Sequence, residues 1–142
     1  MPGRNKIFSG LVFVFAFVFD SCNNGTPKTA SNGSDFDKGK DVYARTCTAC
    51  HLADGKGIAN TFPPLANSDF LVRSKTAAII QVIKGKTGSI IVNGLPYNNI
   101  MPPQQLSDEE IAHVLTYVYA SFGNNGTKVR PEEVKEVRAG LK

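Results

Sequence analysis

The feature that most constrains this chain is a pair of cysteines two residues apart, with a histidine directly after the second. The stretch RTCTACHLADGKG holds them as Cys47, Cys50 and His51. A Cys-x-x-Cys pair serves as a redox dithiol or as half of a zinc site, and with a following histidine it serves as the attachment point of a c-type haem. These chemistries require different partners elsewhere, so the rest of the chain decides between them.

Residues 1–21 are typical of an export signal. Arg4 and Lys6 precede an apolar run without a charge from residue 7 to residue 19. A helix that spans a bilayer needs about 20 apolar residues, so this shorter run fits the core of a signal peptide better than a permanent span. A single membrane anchor is the alternative.

The end of this run, FDSC, resembles the lipobox of bacterial lipoproteins, in which the cysteine after the cleavage site receives lipid. Ser21 fits the small residue expected before that cysteine, whereas Phe19 and Asp20 depart from the usual pattern. The resemblance implies lipid attachment at Cys22, and the alternative is an ordinary secretory signal. Residues 22–34 are almost all small, polar or turn-forming, which predicts a flexible tether.

Residues 35–123 are predicted to form one helical domain. A first helix is expected over Asp37–Cys47, with one face defined by i+4 steps. A second is expected over Ser74–Lys84, with Ser74 as its N-cap and Gly85 as its end. The residues on the face of the first helix are Gly39, Tyr43 and Cys47.

The third helix has the clearest signal. Ser107 and Glu110 form a capping box at its start, and Gly123 is predicted to end it. Residues 124–142 then form a C-terminal extension, in which a short helix begins at Pro131, a favoured first helical position. The predicted buried stripe of the third helix is Ile111, Val114, Leu115, Val118 and Phe122.

Two long segments rich in glycine and proline, residues 52–73 and 85–106, separate these helices. A short strand is expected at residues 89–92, with Asn93 and Gly94 as its turn. Irregular segments of this length are uncommon inside a compact domain. They become reasonable if they wrap around a large buried group.

The choice of chemistry depends on the few soft or nitrogen ligands that remain after export. They are Cys47, Cys50, His51, Met101 and His113. Zinc needs three or four protein ligands, but adjacent Cys50 and His51 are unlike the usual finger spacing, and His113 lies off its apolar stripe and is expected at the surface. A thioredoxin-like dithiol requires a strand–helix pattern that is missing around this motif.

A haem uses every one of the other four residues. Cys47 and Cys50 would form thioethers, His51 would bind iron on one face, and Met101 is the methionine left for the other face. Ligation by methionine and histidine raises the reduction potential of a haem. Pro102 follows Met101 directly and restricts the backbone of this residue.

The ordered motifs CTACH, ADGKG, FPPL, IMPP and VLTYV resemble those of a class I cytochrome c over residues 36–122. The resemblance implies an all-α cytochrome c fold, with three main helices and long loops around one covalently bound haem c. It also implies that the first and last helices cross through Gly39, Tyr43, Val114 and Tyr117.

The same resemblance implies supporting roles in the loops. Pro63 matches the proline whose carbonyl accepts the ring N–H of the ligating histidine, and Leu65 would pack on the ring. Tyr97 and Asn99 are candidates for hydrogen bonds near Met101 or a propionate. Lys56 is a candidate charge at the rim of the site.

The segment from SIIVNGLPYNNIMPP to LTYV resembles, more narrowly, single-haem domains associated with copper nitrite reductases and other respiratory oxidoreductases. The implied function is that of a one-electron carrier on the periplasmic side of a bacterial membrane, held by its lipid and docking transiently with redox partners. The alternatives are a haem peroxidase or gas-binding protein with labile Met101, or a fixed relay subunit.

The net charge of +4 comes from dispersed lysines, which excludes a nucleic-acid partner.

Overall fold

The computed structural model describes residues 34–141. The predicted signal peptide, the lipidation site at Cys22 and the tether up to residue 33 lie outside the described residues. Residues 34–141 contain a two-stranded hairpin and six helices, which confirms the all-α class. No helix in this range is both long and apolar enough to cross a membrane. The elements are α1 (Asp35–Thr46), α2 (Thr48–His51), α3 (Asp69–Arg73), α4 (Lys75–Lys84), β1 (Ile90–Val92), β2 (Leu95–Tyr97), α5 (Asp108–Ala120) and α6 (Pro131–Gly140).

The centre of the fold is the crossing of α1 and α5. Gly39 permits their close approach, because a Cβ at this position would lie 2.1 Å from the carbonyl oxygen of His113 and 2.7 Å from Cβ of Tyr117. Tyr43 and Val114 are both buried beside the crossing. The structure therefore confirms the crossing that the resemblance implied.

The ends of these two helices differ from the sequence predictions. The helix α1 begins two residues earlier than predicted, because Ser34 and Asp37 form a capping box there. The helix α5 ends at Ala120, and the prediction that Gly123 ends it was wrong. Phe122 follows the helix with a φ of 58°, yet its ring still packs 5.4 Å from that of Tyr43.

His113 is not the surface residue that the sequence predicted. Its side chain is only 19% exposed, and Nε2 lies 3.5 Å from a carboxylate oxygen of Asp35. The close crossing of α1 over α5 covers it, and this crossing is a long-range contact that the helical periodicity of α5 does not reveal.

The second helix and the hairpin agree with the sequence. Ser74 caps α4 by accepting a hydrogen bond from the backbone N–H of Ala77, and Gly85 ends the helix. Strand β1 lies at the predicted place, and Asn93 and Gly94 have the positive φ values that a tight hairpin turn requires. The pairing strand β2 was not predicted, because its three residues include a proline.

The C-terminal helix α6 packs on the same core. Val129 and Val134 are buried against it. The ammonium of Lys75 on α4 lies 2.5 Å from a carboxylate oxygen of Glu133, and Thr116 on α5 bonds both backbone groups of Val129. Residues 124–141 are therefore part of the folded unit.

Candidate functional site

The described residues fold around a cavity that is partly open to solvent. Cys47, Cys50, His51 and Met101 all line it, although Met101 is fifty residues away in sequence from His51. Most of the other lining side chains are apolar and come from α3, α4, α5 and the hairpin. They include Phe70, Leu71, Val82, Ile90, Val92, Val114, Leu115 and Val118, and the loop between α2 and α3 adds Phe62.

Both cysteines lie where α1 ends and the short helix α2 begins. Cys47 is the C-cap of α1, and α2 adds one further turn that carries Cys50 and His51. Burial, together with the nearby Cys50, raises the pKa of the Cys47 thiol to about 11. A redox-active dithiol needs a lowered thiol pKa, so Cys47 is unlike the reactive cysteine of such a pair.

Of the four zinc candidates, His113 does not line the cavity that Cys47, Cys50 and His51 share. Within residues 34–141, no group of three or more His, Cys, Asp or Glu side chains is placed to hold a metal ion.

His51 is buried and oriented by the backbone. Its Nδ1 lies 3.0 Å from the carbonyl oxygen of Pro63, the residue that the resemblance implied for this contact. Because a carbonyl only accepts, Nδ1 carries the proton and Nε2 is left with a lone pair. Burial lowers the pKa of His51 even though the bond to Pro63 opposes this shift. The imidazole is therefore neutral, which is the form that binds a metal ion.

Residues 51–68, which we call the His51 segment, form a tightly bonded loop below this histidine. The carbonyl oxygen of Gly55 accepts hydrogen bonds from the N–H groups of Leu65 at 2.7 Å and of Ala66 at 2.9 Å. Gly57 has a φ of 65°, and a Cβ there would lie 2.3 Å from the carbonyl oxygen of Phe62. These contacts place Leu65 in the cavity wall, where its predicted packing on a haem ring stays a prediction.

Residues 85–106, the Met101 segment, form the opposite loop. The backbones of Lys86 and Met101 exchange two hydrogen bonds, of 2.7 and 3.0 Å. Gly85 allows this approach with a φ of 71°, since a Cβ there would lie 2.4 Å from the carbonyl oxygen of Met101. Gln104 then donates from its backbone to Val82 at 3.0 Å and from its side chain to Pro102 at 2.7 Å.

The charged residue at the cavity was not predicted. Lys86 is the one lysine, arginine or acidic residue among the described residues that line it. Its ammonium donates to the carbonyl oxygens of Thr87, Gly88 and Ser89 at 2.5, 2.8 and 3.3 Å. Lys56, the predicted rim charge, instead lies 3.2 Å from Asp54 and outside the cavity lining.

Tyr97 and Asn99 both line the cavity, as their predicted roles near Met101 require. Sequence reasoning missed Lys86 and Gln104. A lysine after a helix-ending glycine and a glutamine in a loop are ordinary at those places, so the sequence contains no signal for either role.

The residues of the cavity fit a haem c. The apolar walls suit a macrocycle, the two cysteines can each form a thioether, and His51 offers a neutral nitrogen. Met101 supplies a soft sulfur from the facing loop, within reach of the same cavity. The arrangement uses each of the four residues that the sequence singled out.

Comparison with known proteins agrees with this fit. A family model described as Cytochrome c matches residues 36–121. Cytochrome c-552 of Thermus thermophilus is 38% identical over 112 residues, which cover 71% of this chain and 84% of the relative.

Cytochrome subunits of larger enzymes are also similar. The cytochrome c subunit of a quinone alcohol dehydrogenase from Gluconobacter oxydans is 30% identical over 80% of this chain. The fructose dehydrogenase cytochrome subunit of Gluconobacter japonicus is 31% identical over 73% of it. This chain covers only 24% and 22% of those two subunits. Taken with the geometry of the cavity, these matches show that the chain belongs to the cytochrome c family, with one covalently bound haem c.

Proposed function

We propose that this cytochrome c is an exported one-electron carrier whose iron is held by His51 and Met101. The observation that carries the proposal is that both side chains line one apolar cavity, each from its own hydrogen-bonded loop. Haem c supplies a one-electron couple at its iron. If His51 and Met101 both held the iron, no coordination position would be left for a substrate, which favours electron transfer over catalysis.

The residues of the cavity have separate roles. Cys47 and Cys50 attach the group covalently, and the carbonyl oxygen of Pro63 fixes the ring of His51 and raises its basicity. Leu65 and the apolar residues of α5 line the cavity and would exclude water from a bound haem. The thioether of Met101 would favour ferrous iron, and Lys86 holds the backbone of Met101 in place.

The partners proposed for this carrier are other respiratory proteins. The cytochrome subunits of alcohol and fructose dehydrogenases among its relatives suggest a dehydrogenase as the electron donor. A copper nitrite reductase or a terminal oxidase is proposed as the acceptor. Lipid at Cys22 and a tether of residues 22–34 would hold the domain on the periplasmic side of a bacterial membrane. Mass spectrometry of the mature chain tests this location: a diacylated N-terminal Cys22 supports it, and an unmodified cysteine contradicts it.

A redox titration of the holoprotein tests the carrier role. We expect one reversible one-electron transition, with a ferric spectrum that azide leaves unchanged. High-spin ferric iron that binds azide rapidly or consumes peroxide would favour the peroxidase or gas-binding alternative.

A further inference from the structure

Asn124 lies beyond the last residue that the family model matches, at the turn between α5 and α6. Its side chain nevertheless reaches into the His51 segment. The carboxamide Nδ2 donates to the carbonyl oxygens of Leu65 at 2.8 Å and of Val118 at 3.0 Å, and Oδ1 accepts from the N–H of Ser68 at 3.1 Å. Backbone carbonyls only accept and an N–H only donates, so these partners fix the orientation of the amide.

The position of these bonds matters because of the two prolines before Leu65. Pro63 and Pro64 have no N–H, so neither can be anchored through a backbone donor. The chain is anchored just after them, where the N–H of Leu65 bonds Gly55 and its carbonyl oxygen bonds Asn124. Pro63, which accepts from the ring of His51, is two residues away from this anchor.

We propose that Asn124 is a positioning residue for His51, acting by fixing the Pro63–Leu65 backbone between Gly55 on one side and the end of α5 on the other. The proposal rests on the proposed function only in taking His51 as the iron ligand. A neighbouring bond supports it, because the N–H of Asn67 donates to the carbonyl oxygen of Phe122 at 3.0 Å. The turn after α5 thus holds the His51 segment at Leu65, Asn67 and Ser68.

The test is hydrogen exchange followed by NMR in the reduced holoprotein carrying N124D. This variant keeps the size of the side chain and the acceptor for Ser68, but it removes both donors. We expect exchange of the His51 ring N–H and of the Leu65 and Ala66 amides to accelerate by about tenfold or more, as for a local opening. Exchange of the Met101 amide, in the opposite loop, should stay unchanged.

T116V is the matched control. It removes the hydroxyl that bonds Val129 and so loosens the same C-terminal region, but it has no contact with the His51 segment. It should leave exchange at His51 unchanged. If N124D yields too little holoprotein, N124A removes the same two donors, together with the acceptor for Ser68, without adding a charge.

Equal exchange of the His51 ring N–H in N124D and the unaltered protein would overturn the proposal. Equal acceleration at His51 and Met101 would also overturn it, since that result indicates a loss of global stability only. A paramagnetic ferrous holoprotein would instead count against the proposed ligation by His51 and Met101, whatever Asn124 does.

Discussion

The two loops that face each other across the cavity are held in different ways. The His51 segment begins on a helix, follows two covalent attachment points, and is bonded to Gly55 within the loop and to Asn124 outside it. The hairpin of the Met101 segment is bonded to α3, where Asp69 and Asn93 exchange two hydrogen bonds. Met101 itself is held by its two backbone bonds with Lys86, and Gln104 bonds the following residue, Pro102. His51 thus lies at the end of a helix and is bonded to Pro63, whereas Met101 lies in a loop and its backbone is bonded to one residue, Lys86. Changes around Met101 should therefore alter ligation without unfolding the protein.

The largest expected effect is that of M101A. Loss of the thioether should lower the reduction potential by tenths of a volt, since axial ligands set haem potentials over a range of about 0.8 V. The helical fold should remain, because the α1–α5 core does not include Met101. Potentiometry and far-ultraviolet circular dichroism check both statements. An unchanged potential would show that Met101 is not a ligand.

G39A tests the close packing of α1 on α5 in the core. The added Cβ would lie 2.1 Å from the carbonyl oxygen of His113, and overpacking of a core costs about 1–3 kcal/mol and occasionally more. We expect a large fall in the free energy of unfolding, measured by guanidinium denaturation.

G140A is the control for G39A. Gly140 lies at the end of α6, and nothing lies within 4 Å of a Cβ added there. The change should stabilise or destabilise the protein by less than about 1 kcal/mol. Similar losses in G39A and G140A would contradict the close packing of α1 on α5.

G85A tests the backbone contacts that hold Met101 in place. A Cβ on Gly85 would lie 2.4 Å from the carbonyl oxygen of Met101, and its φ of 71° is unfavourable for alanine. We expect partial loss of methionine ligation, seen in the ferric spectrum, with a stability loss of about 1–3 kcal/mol.

G88A is the matched control, since Gly88 has a φ of 78° but its added Cβ would meet only the Lys86 ammonium, at 3.9 Å. It should lose about 1–2 kcal/mol from backbone strain alone and keep its ligation. Full ligation in G85A would show that the close approach of Gly85 to Met101 does not position this residue.

The smallest expected effect concerns α6, outside both loops. The hydrogen bond from Lys75 holds the pKa of Glu133 below its usual value. The pair therefore stabilises the fold above the ordinary pKa of about 4.5 and loses this contribution as the pH falls through the lowered value. E133Q should remove about 1 kcal/mol or less at pH 7 and very little at the acidic end. Urea denaturation at several pH values checks this, with E132Q as an exposed control that should show a weaker dependence on pH.

The sequence predicted the elements that depend on local signals. Capping serines, helix-ending Gly85 and the Asn93–Gly94 turn act within a few residues, and the structure has each of them where expected. The motif at Cys47–His51 predicts a haem c, because few other kinds of site have two cysteines and a histidine at this spacing. Met101 could be singled out since it is the single methionine outside the predicted signal peptide.

The remaining features depend on contacts between distant residues. His113 is partly buried by α1, a helix about seventy residues earlier in the chain. The residues around His113 contain no pattern that predicts this contact. Asn124 acts on Leu65 through a turn whose conformation the sequence does not specify. The docking of α6 through Val129 and Val134 is likewise a matter of packing, since two valines in a polar stretch are compatible with a free tail.

The most direct test of the central claim is the absorption spectrum of the ferric holoprotein at neutral pH. If His51 and Met101 both bind the iron, a band at about 695 nm, the sign of methionine–iron ligation in this family, is present together with low-spin iron. If the band is missing and the iron is high-spin, one face of the haem is open and the account of this protein as an electron carrier is contradicted.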